Sequence, residues 1–121
     1  MDYKIEVLDK MRYPTCGDYY KLEDNLTKIE IKKQLNEDYE FLIMVHELIE
    51  EYITRKRGIT EQSITNFDLA WEELSEPKED EPGNNKWAPY YKEHRFSENI
   101  ERLICAELGI DWFKYEKDLI V

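Results

Sequence analysis

The chain opens with alternation. Residues 3–8, Tyr-Lys-Ile-Glu-Val-Leu, set apolar and charged side chains in turn, which predicts a strand. Tyr13-Pro14-Thr15-Cys16-Gly17-Asp18 breaks that pattern with Pro and Gly and reads as a loop. Asp18–Leu22 predicts a second strand, Glu23-Asp24-Asn25 a turn, and Leu26–Lys32 a third strand carried by Leu26, Ile29 and Ile31. The period then lengthens. Glu37 to about Lys56 predicts a helix, with Asn36 at the N-cap, Glu37 and Asp38 in the first turn, Arg55, Lys56 and Arg57 at the far end and Gly58 just beyond. Phe41, Leu42, Met44, Val45, Leu48, Ile49, Tyr52 and Ile53 cover more than half of its circumference, so it is expected at the centre of the molecule. His46 falls in the stripe Leu42–His46–Ile49–Ile53 and is expected to point inward or into a cleft.

Thr60 can cap a second helix, Glu61 to about Leu74, with the stripe Ile64, Phe67, Trp71 and Leu74. Asp68 shares that stripe and needs a partner, because an unpaired buried charge is costly. Ser75–Pro89 reads as an acidic loop punctuated by Pro77, Pro82, Gly83 and Pro89. A third helix is expected from Tyr90 to about Leu108, with Phe96, Ile100, Leu103 and Ile104 inward and Gly109 ending it. Ile110–Leu119 reads as a tail that packs Trp112, Phe113 and Tyr115 back onto the body. The expected fold class is α+β: a small antiparallel sheet of two or three N-terminal strands, then three helices, in a minimal zincin-like arrangement.

Length makes this one domain, residues 1–121. The composition, 41% hydrophobic with nine Tyr and three Trp, supports a folded core rather than disorder. No apolar run is long enough to span a bilayer, and the N-terminus has no signal-peptide core, so a cytoplasmic protein without a membrane role is expected. Cys16 and Cys105 stand apart with no Cys-x-x-Cys and are expected as reduced thiols. The formal charge of −11 argues against direct binding to nucleic acid, since phosphate contacts need a basic surface. It leaves room for a cation site, for an acidic surface facing a basic partner, or for solubility alone.

The chemistry concentrates on Val45-His46-Glu47-Leu48-Ile49-Glu50. On a helix His46 and Glu50, four apart, share a face and can grip one metal ion. The spacing is that of H-E-x-x-H zinc hydrolases with glutamate in place of the second histidine. Imidazole and carboxylate suit zinc and also accept iron or manganese. The second histidine, His94, together with Asp68 and Glu101, competes for the third ligand position. Glu47 is the candidate base for a metal-bound water. The alternative for His46 is an inward histidine bonded to a carboxylate or a backbone group. For Asp68 it is pairing with Arg55, Arg57 or Arg102, or capping a local backbone group. For His94 it is a half-exposed place at a helix start.

Tyr13-Pro-Thr-Cys-Gly-Asp18, Val45-His-Glu-Leu-Ile-Glu50, Phe67-Asp68, Glu81-Pro-Gly83, Ala88-Pro-Tyr90 with His94, and Glu107-Leu-Gly-Ile-Asp-Trp112 together resemble a family of small phage and prophage proteins of unknown function, over most of the chain. Its V-H-E-L-x-E helix is similar to a degenerate zincin motif. The resemblance implies a phage setting in the host cytoplasm and a site near His46, Glu50, Asp68 and His94. Glu50 in place of a histidine weighs against peptidase activity more than against metal binding. The expected function is therefore a metal site on the first helix, serving a divalent-metal-dependent hydrolase or an inactive relative. The rival is an acidic phage protein whose segment Glu76, Glu79, Asp80 and Glu81 binds a basic, nucleic-acid-binding host protein.

Overall fold

The computed structural model describes residues 1–74 and 80–121, so Glu76 and Glu79 of the acidic segment lie outside the described residues. The class is α+β, as expected: three strands, β1 (Asp2–Leu8), β2 (Gly17–Glu23) and β3 (Leu26–Lys32), precede the helices. The helices are α1 (Glu37–Lys56), α2 (Glu61–Glu72), α3 (Tyr91–Glu107) and α4 (Trp112–Asp118), with a 3-10 turn at Pro82–Asn84 between α2 and α3. No described helix is long and apolar enough to cross a membrane.

The sheet is mixed rather than antiparallel throughout. Its order is β1-β3-β2, with β2 antiparallel to β3 and β1 parallel to it. The cause is the link over residues 9–16. It carries the chain across the end of β3, where Lys32 N–H donates to the Cys16 carbonyl and Lys33 N–H to that of Leu8. The strand with the most buried side chains thus takes the centre and is paired on both edges. Ile29 and Ile31 point from it into a core completed by Tyr39, Leu42, Ile43, Cys105 and Tyr115.

Helix α1 starts where Asn36 Oδ1 accepts from Tyr39 N–H at 2.9 Å. It lies over β2 and β3 with α3 beside it. Both long helices are rolled away from the orientation that their apolar residues predict. α1 buries Leu42 and His46 as expected, but it also buries Glu50, Glu51 and Thr54, while Phe41 and Tyr52 are exposed. α3 buries Glu93, His94, Ser97, Glu98, Glu101 and Cys105. Ile104 packs against the core, yet Phe96 is 48% and Leu103 67% exposed, against expectation. The reason is pairing. Arg57 donates to Glu93, Arg95 and Arg102 flank Glu98, and Glu101 meets His46 and Tyr115, so these acids are accommodated inside.

Helix α2 ends at Glu72, short of Leu74, and none of its residues is fully buried. The expected tail is in fact a helix, capped by Asp111 through Lys114 N–H. Only Tyr115 of its aromatics is fully enclosed; its ring meets Tyr39 edge-on at 5.0 Å and Trp112 at 5.3 Å. Phe113, expected to pack inward, is 77% exposed because it leaves α4 on the other side. Leu42→Ala is therefore expected to cost about 2–5 kcal/mol in denaturant unfolding, and Phe113→Ala no more than about 0.5 kcal/mol.

Candidate metal centre

Three side chains converge between α1 and α3. His46 and Glu50 come from one face of α1, and His94 from the first turn of α3. Glu50 Oε2 lies 3.0 Å from His46 Nε2 and 2.9 Å from His94 Nδ1, and the two nitrogens are 3.2 Å apart. All three residues are buried. Donors at tetrahedral zinc distances of about 2.0–2.1 Å stand about 3.3–3.4 Å from one another. The triangle is thus a few tenths of an ångström tight for one face of such a tetrahedron, and this group could hold a metal ion.

The atoms facing away from the triangle are held as well. His46 Nδ1 is 2.7 Å from Glu101 Oε1, and Tyr115 donates its hydroxyl to Glu101 Oε2 at 2.5 Å. Tyr19 donates to Glu50 Oε1 at 2.9 Å, leaving Oε2 for the triangle. Behind His94, Nε2 is 3.3 Å from Glu81 Oε1, a charge contact without hydrogen-bond geometry. With its Nδ1–H directed to Glu101, a neutral His46 presents the Nε2 lone pair inward. A carboxylate behind the imidazole, as Glu101 stands behind His46, is a usual outer partner of a metal-ligating histidine.

The sequence candidates therefore fall into two layers. His46, Glu50 and His94 form the triangle. Glu101 stands behind His46 and is not one of the three donors. Asp68 is outside the triangle too: it accepts from the Tyr90 hydroxyl at 2.6 Å, and none of Arg55, Arg57 or Arg102 pairs with it among the described residues. Tyr90 in turn sets its ring edge-on to His94 at 6.1 Å. His94 is fully enclosed rather than half-exposed at the helix start. Glu47 is partly buried and receives no hydrogen bond among the described residues, while the charges of Glu50 and both histidines act on it.

Sequence reasoning missed Tyr19, Tyr115 and Glu81 as parts of this centre. The two tyrosines look like core residues in any pattern, and Glu81 like a solvated loop acid. Two glycines gave a signal that a single chain cannot decode. A side chain at Gly83 would begin 2.6 Å from the His94 ring, and one at Gly17 would begin 2.7 Å from the Glu47 side chain. These glycines let the backbone close on the site from two sides.

The charges inside the centre are strongly coupled. Burial alone would lower both histidines, but the carboxylates outweigh it. Glu101 and Glu50 hold His46 well above its ordinary value, and Glu50 and Glu81 lift His94 to about 10. Burial works to raise Glu50, yet the two histidines bring it down to about 2. Glu47 is pushed well up by burial and by the charge of Glu50. Burial raises Asp68 to about 6. Comparison with family models, with curated proteins and with solved structures finds no match to this chain.

Two outcomes follow from this geometry. Gly83→Ala should lower stability by about 1–3 kcal/mol, because the His94 ring cannot yield without leaving Glu50. The second is a pH dependence. The histidines bind protons more tightly folded than unfolded, so their stabilisation is complete below pH 6.5 and is lost as pH rises through the folded values, about 10 for His94. Chelator-treated protein should therefore show a denaturation midpoint that falls between pH 6.5 and 10, and His94→Gln should flatten that slope.

Proposed function

We propose that this protein binds one divalent metal ion, with zinc as the best match, through His46 Nε2, Glu50 Oε2 and His94 Nδ1, in a centre of hydrolytic type. The observation that supports this most is the convergence of three buried donors whose outer atoms are already engaged by Glu101, Tyr19 and Glu81. A structural cluster would need only enough contacts to neutralise the buried charges. In this centre both histidines turn a nitrogen toward the same carboxylate oxygen, an arrangement that crowds protons and that one cation relieves.

Two imidazoles and one carboxylate match the His2Glu set of catalytic zinc sites, which keep a fourth position open. The same set suits non-haem iron, so the metal is assigned by content rather than by geometry. When bound, the metal would supply Lewis acidity and lower the pKa of a water. Glu47 is the residue fitted to accept that proton. It follows His46 directly on α1 and carries a raised pKa that a nearby cation would bring back toward neutrality. Tyr19 keeps Glu50 from rotating, and Glu101 with Tyr115 fixes the His46 tautomer. The phage setting that the sequence resembles belongs to this proposal as its biological context.

Metal analysis of purified protein, with zinc and iron added separately, tests the reading. One equivalent is expected for the wild type, and essentially none for His46→Ala, Glu50→Ala or His94→Ala with folded circular dichroism. Glu101→Gln should weaken binding by about 10–100-fold. Glu47→Gln should keep the metal and lose hydrolysis of whichever peptide or ester model substrate the wild type cleaves. A folded wild type that takes up neither metal would overturn the proposal. Full metal in Glu47→Gln with undiminished hydrolysis would exclude Glu47 as the base.

A further inference from the structure

The two edges of the sheet differ in how they are closed. On β2 the pairing slips between Lys21 and Glu23, and Lys21 N–H donates outward to Glu61 Oε2 of α2 at 3.2 Å. A local irregularity and a covering helix are two ways in which proteins stop a sheet edge from accepting another strand. β1 has neither. It runs Asp2–Leu8 without Pro, Gly or a register shift, and β3 is its one partner strand.

The ends of the ladder show which way the peptide groups of β1 point. Asp2 N–H donates to the Asn25 carbonyl at 2.7 Å, and the Leu8 carbonyl accepts from Lys33 N–H at 2.8 Å. Peptide groups alternate in direction along a strand. Asp2, Lys4, Glu6 and Leu8 therefore turn theirs to β3, and Tyr3, Ile5 and Val7 turn theirs to the open side. No described strand pairs with these three residues on that side, where Ile5 is 41% and Val7 45% exposed.

The side chains specify what fits this edge. In the register with β3, Lys4 stands beside Lys28 and Glu6 beside Glu30, like charge against like. The contacts that offset this are diagonal: Lys28 Nζ meets Glu6 Oε1, and Lys4 Nζ lies 3.5 Å from the same oxygen. On their open side Lys4 and Glu6 have no opposite charge beside them, and both side chains remain well exposed. A second β1, laid antiparallel with Ile5 opposite Ile5, sets Lys4 of each copy beside Glu6 of the other. It also sets Tyr3 beside Val7. A shift of two residues either way, the smallest that keeps the same peptide groups facing, puts Lys4 on Lys4 or Glu6 on Glu6. The strand is thus complementary in charge to itself, in that register alone.

We infer that the protein forms a twofold-symmetric homodimer in which β1 pairs antiparallel with β1 of a second copy, Ile5 opposite Ile5, joining the two sheets into one. Tyr3, Ile5 and Val7 would exchange about six backbone hydrogen bonds, and the Lys4–Glu6 pairs would fall at the closely spaced positions between them. Such an interface is isologous, the commonest form of association for soluble proteins. One short strand from each copy makes a narrow contact, so association in the micromolar range is expected.

Sedimentation equilibrium on the full chain tests the inference. The wild type should dimerise. Ile5→Pro should be monomeric with unchanged circular dichroism, because the N–H it removes faces the open side and serves no bond within one copy. Lys4→Glu should weaken the dimer about tenfold, since two symmetry-related pairs become repulsive. Lys4→Glu combined with Glu6→Lys should restore it. Amide exchange reads the same contact without substitution: Tyr3, Ile5 and Val7 should exchange faster on dilution. Register is tested by oxidation. Ile5→Cys should give a covalent dimer above the wild-type background from Cys16 and Cys105, since the two copies of that position would stand about 5.5 Å apart. Val7→Cys should not, at about 14 Å. A wild type that stays monomeric up to about 100 μM overturns the inference. So does a dimer that persists in folded Ile5→Pro, or a charge swap that fails to rescue.

Discussion

Everything in this fold is arranged around a buried ionic chain. Tyr115 donates to Glu101, Glu101 meets His46, and His46 and His94 share Glu50. A buried charge without a partner costs several kcal/mol, and removing one member of such a set strands the others. The chain therefore dictates how α1 and α3 face each other, more than the apolar residues of either helix do. Ordinary helix packing is decided by hydrophobic area. In this protein the two longest helices meet through carboxylates and imidazoles, and the buried core beneath them is built from Ile29, Ile31, Leu42, Ile43, Cys105 and the rings of Tyr39 and Tyr115.

That inversion explains why the sequence reveals some features and hides others. Local signals were legible. Asn36, Thr60, Gly58 and Gly109 punctuate the helices where capping chemistry places them, and the three strands sit where alternation and turn residues put them. The central helix and the metal-type pairing of His46 with Glu50 could be read from a four-residue spacing. The parallel pairing of β1 could not, because nothing local distinguishes a hairpin connection from a link that passes over the next strand's end.

The orientation of α3 was illegible for a different reason. Phe96, Ile100, Leu103 and Ile104 form a coherent apolar arc, and area alone would bury it. The winning term is the set of paired acids, Glu93, Glu98 and Glu101, whose partners come from other elements or from arginines that look solvated in the sequence. Tyr19 and Tyr115 raise the same difficulty. Their rings belong to the core, and their hydroxyls belong to the site. A hydrophobicity pattern registers only the ring. Glu81 is the reverse case, an acid of an exposed loop that turns back to meet a buried histidine.

The Tyr115–Glu101 hydrogen bond gives the short last helix a significance beyond packing. α4 has only seven residues, too few to be stable alone, so its order depends on docking. Its one deeply inserted side chain ends on the carboxylate that orients His46. Fraying of α4 would thus be sensed at the centre of the molecule as a loosened imidazole. Conversely, a ligand that fixes His46 would tighten α4 from a distance, so amide exchange in α4 would act as a remote gauge of the occupancy of the centre.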